Sequence, residues 1–189
     1  MPSRKLACVL SLPLIFAAAA ANNASANTIS AEINNETVKL EYKGFNRSNG
    51  SVMSAGILYH EDNGEVYSLG LSVESQIQGQ RNLYGGLGGK LYYIEADGPS
   101  GAALGLGGHV RYDIPNVKGL SLFTEAYYSP QVLSFNDIEH FSDFTVAVKY
   151  KMLEQGSVFV GYRKVHVDFD FDDHADIDEG AFFGIQLSL

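Results

Sequence analysis

The chain has 189 residues, with 13 basic and 22 acidic side chains and a formal net charge of −9. So acidic a chain is a poor partner for nucleic acid, whose phosphates call for basic surfaces. Its single cysteine, Cys8, stands close to the N-terminus, so the rest of the chain has no disulfide and no cysteine-based metal site.

In chain order the first element is a targeting segment. Arg4 and Lys5 precede an apolar run from Leu6 to Ala21, and Ala24-Ser25-Ala26 supplies the small residues that a signal peptidase requires. The run is shorter than the roughly 20 residues of a spanning helix, and Pro13 interrupts it. The expectation is a secretory signal peptide over 1–26, cleaved after Ala26, followed by one domain over 27–189. Losing Arg4 and Lys5 would take the net charge from −9 to −11.

Everything downstream reads as strand. A short strand is possible at 28–33, and period-two alternation recurs at 37–46, 51–60, 65–74, 82–96, 119–129 and 156–169. The clearest cases lie elsewhere. In 101–114, Ala102, Leu104, Leu106, Val110, Tyr112 and Ile114 share one face, opposite a glycine-rich polar one. In 143–152, Phe144, Val146, Val148, Tyr150 and Met152 oppose Asp143, Thr145, Ala147, Lys149 and Lys151. The last segment sets Phe183, Ile185, Leu187 and Leu189 against Phe182, Gly184, Gln186 and Ser188. The apolar face of 156–169 switches near Arg163-Lys164, which predicts a bulge there.

Asn49-Gly50, Asn63-Gly64, Asp97-Gly98-Pro99 and Gln155-Gly156 punctuate the strands with turn chemistry suited to antiparallel neighbours. No linker has the length of a helical crossover. The fold class is therefore all-β, an antiparallel up-and-down β-barrel of about ten strands, with eight as the alternative.

Alternation alone does not say whether the apolar face meets lipid or fills a soluble barrel. Loop parity favours lipid. Counting back from a terminal strand that ends on the inner side puts 170–178, 130–139, 97–100 and 61–64 outside. It puts 153–156, 114–118, 75–81 and 47–50 inside, so the two longest connections lie outside, as small outer-membrane barrels have them, and the acidic segments collect there too. An even strand count then requires the strand at 28–33. On the apolar face, Tyr59, Tyr67, Tyr93 and Tyr128 fall near the outer rim, with Tyr112 and Tyr150 near the inner one. Two levels of amphipathic rings suit two membrane interfaces. The alternating apolar residues of the last strand are similar to the C-terminal signal read by the outer-membrane assembly machinery, although Leu189 stands where that signal usually has an aromatic residue.

Four patterns, Gly86-Leu87-Gly88-Gly89-Lys90-Leu91-Tyr92-Tyr93, Ala103-Leu104-Gly105-Leu106-Gly107-Gly108, Thr124-Glu125-Ala126-Tyr127-Tyr128-Ser129-Pro130 and Val160-Gly161-Tyr162-Arg163, resemble the YfaZ family of small bacterial outer-membrane proteins. The resemblance covers most of 65–189. It implies an outer-membrane barrel and carries over no catalytic residue.

The face opposite the apolar one carries Lys39, Glu41, Lys43, Lys90, His109, Arg111, Asp113, Glu125, Asp143, Lys149 and Lys151. A barrel of eight to ten strands has a lumen about wide enough for side chains to fill, so these charges are expected to pair into a polar plug. A narrow passive porin-like channel for small solutes is the alternative. The segment 168–179 alternates acids, and Asp172, Asp176 and Asp178 are weak candidates for a divalent cation. It lacks EF-hand spacing, and a solvated, self-repelling loop is the plainer reading. Two pairs invite an enzyme reading: Asp172 with His174, in the manner of a rim protease, and His140 with Ser142, as a lipid-modifying pair. Such pairs arise easily by chance. The expectation is a non-catalytic protein of the Gram-negative outer membrane with an envelope role and no cofactor. Its expected partners are outer-membrane lipid, lipopolysaccharide and the assembly machinery.

Overall fold

The structure is a computed structural model. It describes residues 25–95, 100–136, 138–169 and 173–189, so the expected signal peptide lies almost entirely outside the described residues. The described chain forms eleven strands: β1 (Ser25–Ile33), β2 (Thr37–Asn46), β3 (Ser51–His60), β4 (Gly64–Gln76), β5 (Leu83–Glu95), β6 (Ser100–Asp113), β7 (Leu120–Ser129), β8 (Ser134–Asn136), β9 (Ile138–Lys151), β10 (Gly156–Phe169) and β11 (Asp173–Ser188). Ten of them pair antiparallel with their neighbours in chain order. β5 pairs with β6 and β1 with β11, so the sheet closes on itself. Closure leaves no continuous sheet edge in the wall. The weak strand expected at 28–33 is real. It is the strand that makes the count even and meets the C-terminal strand.

Each strand presents one apolar and one polar or small face. Ile29, Leu40, Met53, Leu69, Leu87, Leu106, Val148, Val160 and Ile185 point outward and are 40–79 % exposed. Within the band the polar face points inward, and Lys39, Glu41, Lys90, His109, Glu125 and Asp143 are buried there. This inversion of the soluble pattern is what a bilayer selects, because lipid rather than water bathes the wall. All six expected girdle tyrosines face outward. Leu83 pairs with Tyr112, and Tyr93 lies ten residues further along β5. That separation is about 33 Å along a strand, or roughly 25 Å of height at a typical barrel tilt. The apolar wall therefore matches a hydrocarbon layer in height.

Three local expectations need correction. First, β10 has no bulge of its own at Arg163-Lys164. Its odd residues face inward from Phe159 to Phe169, and the irregularity lies across the pair with β11, where Val165 meets Asp178 but His166 meets Asp176. What switches along β10 is the surroundings. Its outward face leaves the apolar band and becomes Lys164, His166 and Asp168, while its inward face becomes Val165, Val167 and Phe169.

Second, 168–179 is not a free loop. Asp168 and Phe169 pair with His174 and Asp173, so the hairpin continues outward. Like charges that would repel in a coil are interleaved across the two strands with opposite ones. Lys164 Nζ lies 2.5 Å from Glu179 and 3.5 Å from Asp176, and His166 Nδ1 lies 2.6 Å from Asp176.

Third, 130–139 holds a 3₁₀ turn (Gln131–Leu133) and then β8. The pairing of β6 with β7 stops at Leu106 and Tyr128, and β8 takes up the outer end of β6 by pairing with Gly101, Ala102 and Ala103. A similar step exists at the closing seam. β1 and β11 pair only from Thr28–Ser188 to Ile33–Phe183, and among the described residues no strand flanks β11 beyond Phe183 on that side.

The outer part of the lumen contains an apolar core. Leu58, Val66, Tyr92, Ile94, Ala103, Tyr127, Ile138, Phe141, Val165, Val167, Phe169 and Ile177 form one buried cluster. Ile94, Ala103, Val167 and Ile177 are 0 % exposed. A smaller cluster of Ala147, Phe159 and Phe182 lies further in.

Candidate functional site

The lumen collects the charged residues into three groups. The central one draws Glu41 and Lys43 from β2, Lys90 from β5 and Glu125 from β7, all placed inward by the strand period. Lys43 Nζ lies 3.1 Å from Glu41 and 3.4 Å from Glu125. Lys90 bonds Glu125 closely and stands 3.7 Å from Glu41. Two aromatic faces complete the cage, with Lys90 4.6 Å from the centre of the Tyr127 ring and Lys43 5.3 Å from that of Phe123. Charges withdrawn from water hold a fold together only when so paired, since desolvation of each costs several kcal/mol. Just outward, Asp143 accepts the Tyr92 hydroxyl at 2.9 Å, and Lys39 is buried nearby. A cavity of ≈ 20 Å³ lies between Lys39, Lys90, Tyr92, Asp143 and Arg163, about the space of one water.

Toward the inner mouth, His109 Nε2 meets Glu74 at 2.9 Å, and Arg111 stands 3.7 Å from Glu74 and 3.5 Å from Asp113. Arg111 also covers the Tyr84 ring at 4.3 Å. Lys149 forms no ion pair among the described residues. It donates to the Gln186 side chain and sits 5.4 Å from the centre of the Phe159 ring. Lys151 belongs to none of the groups, because β9 ends there and its side chain is exposed. Inward glycines make these contacts possible. A Cβ on Gly86 would sit 2.3 Å from the His109 ring, and one on Gly184 would sit 2.3 Å from Phe159.

The third group lies at the seam and escaped the sequence reading. Arg163 is 0 % exposed. It donates through Nε to Asp178, through Nη1 to Glu32, and through Nη2 to Thr37 Oγ1 at 3.3 Å. Thr37 and Asn34 in turn donate to Asp178 Oδ1 at 3.2 and 2.8 Å. One guanidinium thus ties β1, β2 and β11 to β10 across the joint between the ends of the chain. The only hint in the sequence was a lone arginine on an inward position of a strand.

The structure sets the two described cation candidates apart. Asp178 faces inward and is satisfied by Arg163, whereas Asp176 is on the outer wall with His166 and Lys164. Asp172 lies outside the described residues, and among those described no group of three such ligands converges. The enzyme candidates fare similarly. His140 points outward, where Nδ1 meets the Tyr128 hydroxyl at 3.2 Å and the rings stack at 6.1 Å. The side chain of His174 lies outside what is described.

Comparison with known proteins points to the outer membrane. The curated "Outer membrane protein YfaZ" of Escherichia coli (strain K12) is 27 % identical over 143 residues, covering 74 % of this chain and 76 % of that protein. A solved structure described under the words "Unveiling the Mechanism Behind the in-meso Crystallization of Membrane Proteins" aligns with 87 % of this chain and 83 % of its own. Its TM-score is 0.48 at 9 % identity, a likeness too remote to inform this chain. The family model described as "YfaZ precursor" matches residues 1–189. With a closed ten-strand wall, an outward apolar band and a match along its whole length, the chain belongs to the YfaZ family of outer-membrane β-barrel proteins.

Proposed function

We propose that this outer-membrane barrel is a non-conducting, non-catalytic component of the envelope, with its lumen occupied by its own side chains. The observation that carries the reading is the stacking of two seals. The buried Glu41–Lys43–Lys90–Glu125 group fills the middle, and the apolar cluster around Ile94, Val167 and Ile177 closes the lumen above it. A solute would have to displace both at once. Strong pairing at the centre and dry packing above leave no free charge ring to select an ion. In this reading Asn27 begins the mature chain. The outward band meets membrane lipid, the projecting β10–β11 hairpin stands among lipopolysaccharide, and the terminal strand serves recognition by the assembly machinery.

Liposome swelling tests the reading. Vesicles bearing the folded protein should swell in isotonic solutions of small sugars no faster than protein-free vesicles. Swelling that is graded by sugar size would instead make the protein a narrow passive channel.

A further inference from the structure

Two outer turns reach across the unpaired part of the seam to β11, and they are built alike. In the β1–β2 turn, Asn34 Oδ1 accepts the backbone N–H groups of Glu36 (2.9 Å) and Thr37 (2.5 Å), two and three residues on. Its amide then donates to Asp178 on β11 at 2.8 Å. In the β3–β4 turn, His60 stands in the same role. Its Nδ1 accepts the N–H groups of Asp62 and Asn63, both at 3.0 Å, again two and three residues on. Asn63 then donates from its side chain to the backbone carbonyl of Asp176 on β11 at 2.9 Å. The two turns are also joined to each other, Glu61 N donating to Glu36 O at 3.0 Å.

The acceptors differ in one property. An asparagine oxygen accepts at any pH, whereas an imidazole nitrogen accepts only while unprotonated. Two donors converging on Nδ1 fix the tautomer. The proton of the neutral ring is then on Nε2, which faces the Glu36 carboxylate at 3.4 Å and, at the same distance, the Asn63 side-chain nitrogen. A second proton must go to Nδ1, where it turns the shared acceptor into a donor facing two N–H groups. His60 is 5 % exposed, so the ring itself has little access to water as a substitute partner.

The titratable groups around the ring are Glu36 on the neighbouring turn, Glu61 and Asp62 on its own, and Asp176 and Asp178 on β11. Arg163 on β10 is the cation among them, bonded to Asp178 and to Thr37, the register partner of His60, and Glu36, 3.4 Å from Nε2, supplies the counter-charge for an imidazolium. The segment of β11 that both turns hold, Asp176–Asp178, lacks a flanking strand on that side among the described residues. The His60 turn is flanked by Leu58 and Val66, two residues from its ends and both members of the apolar seal.

We infer that His60 is a pH-sensitive latch on the outer mouth of the barrel. Once Nδ1 carries a proton, the 61–63 turn loses its acceptor and Asn63 releases β11, while the Asn34 clamp holds. The barrel stays closed, and the mouth above the apolar seal loosens.

Amide exchange protection of the folded barrel in detergent micelles, followed from about pH 8 to about pH 5, tests this. The Asp62 and Asn63 amides should lose protection by about tenfold, the worth of one hydrogen bond, and their ¹⁵N–¹H resonances should move together. The Glu36 and Thr37 amides at the Asn34 clamp serve as the internal control and should stay protected. His60→Asn keeps an acceptor of the type used at Asn34 and should abolish the pH dependence. Equal behaviour of the two turns in the unaltered protein, or an unchanged transition in His60→Asn, would overturn the latch. The comparison of turns needs no variant, so it stands even if His60→Asn folds poorly.

Discussion

Arg163→Met should be the most damaging single substitution in the barrel, costing about 3–5 kcal/mol of stability. The side chain is 0 % exposed and serves two buried carboxylates, Glu32 and Asp178, from strands at opposite ends of the chain. Methionine fits the space but leaves both carboxylates without a counter-charge. Of all the adjacent pairs in the barrel wall, β1–β11 has the shortest register, so the damage falls where backbone pairing is thinnest. Urea unfolding in vesicles, read by heat-modifiable gel mobility, should show the midpoint fall sharply. Adding Glu32→Gln and Asp178→Asn to Arg163→Met should recover most of the loss, because the penalty comes from the orphaned charges. A triple variant as weak as the single one would mean that Arg163 acts by packing against Phe182, 5.0 Å from its guanidinium, rather than by charge.

Glu125→Leu should come next, at about 3–5 kcal/mol for the same reason. Glu125 holds Lys90 and Lys43 together, and Glu41 alone would then face both ammonium groups at 3.7 and 3.1 Å. Glu125→Gln preserves shape and an acceptor, so it should cost less. The informative variant is the double one, Glu125→Leu with Lys90→Met. An ion pair replaced whole by apolar groups of similar volume is often near neutral, so the double variant should be more stable than Glu125→Leu alone. A double-mutant cycle of urea midpoints measures this, and strict additivity would contradict a paired plug.

Most of the wall was legible from the chain because a barrel gives each strand only two environments, and period two separates them. Phe144, Val146 and Val148 could not be misassigned once Asp143 and Thr145 flanked Phe144. The terminal strand was equally plain. The reading failed where environments change along one strand. On β10, Val160 and Tyr162 face outward, but so do Lys164 and His166, since the strand leaves the apolar band there. At the same height the lumen turns from polar to apolar, so both faces invert together and imitate a register slip.

The same alternation placed charged residues on one face, but it did not group them. Lys90 and Glu125 are 35 residues apart, and Arg163 and Glu32 are 131 apart, so no local spacing encodes either contact. Glu32 stood on the weakest strand of all, and Asp178 was lost in an acidic run that looked like a loop. His60 drew no attention because an i+2 and i+3 turn acceptor is expected to be asparagine, aspartate or serine.

The central claim is that the lumen is full. Planar-bilayer recording of the purified, folded protein tests it most directly. The account predicts a quiet membrane, with no unitary steps above those of the protein-free bilayer across both polarities. Stable unitary conductance steps from the unaltered protein would contradict it, because ions could then pass the Glu41–Lys43–Lys90–Glu125 group and the apolar seal above it.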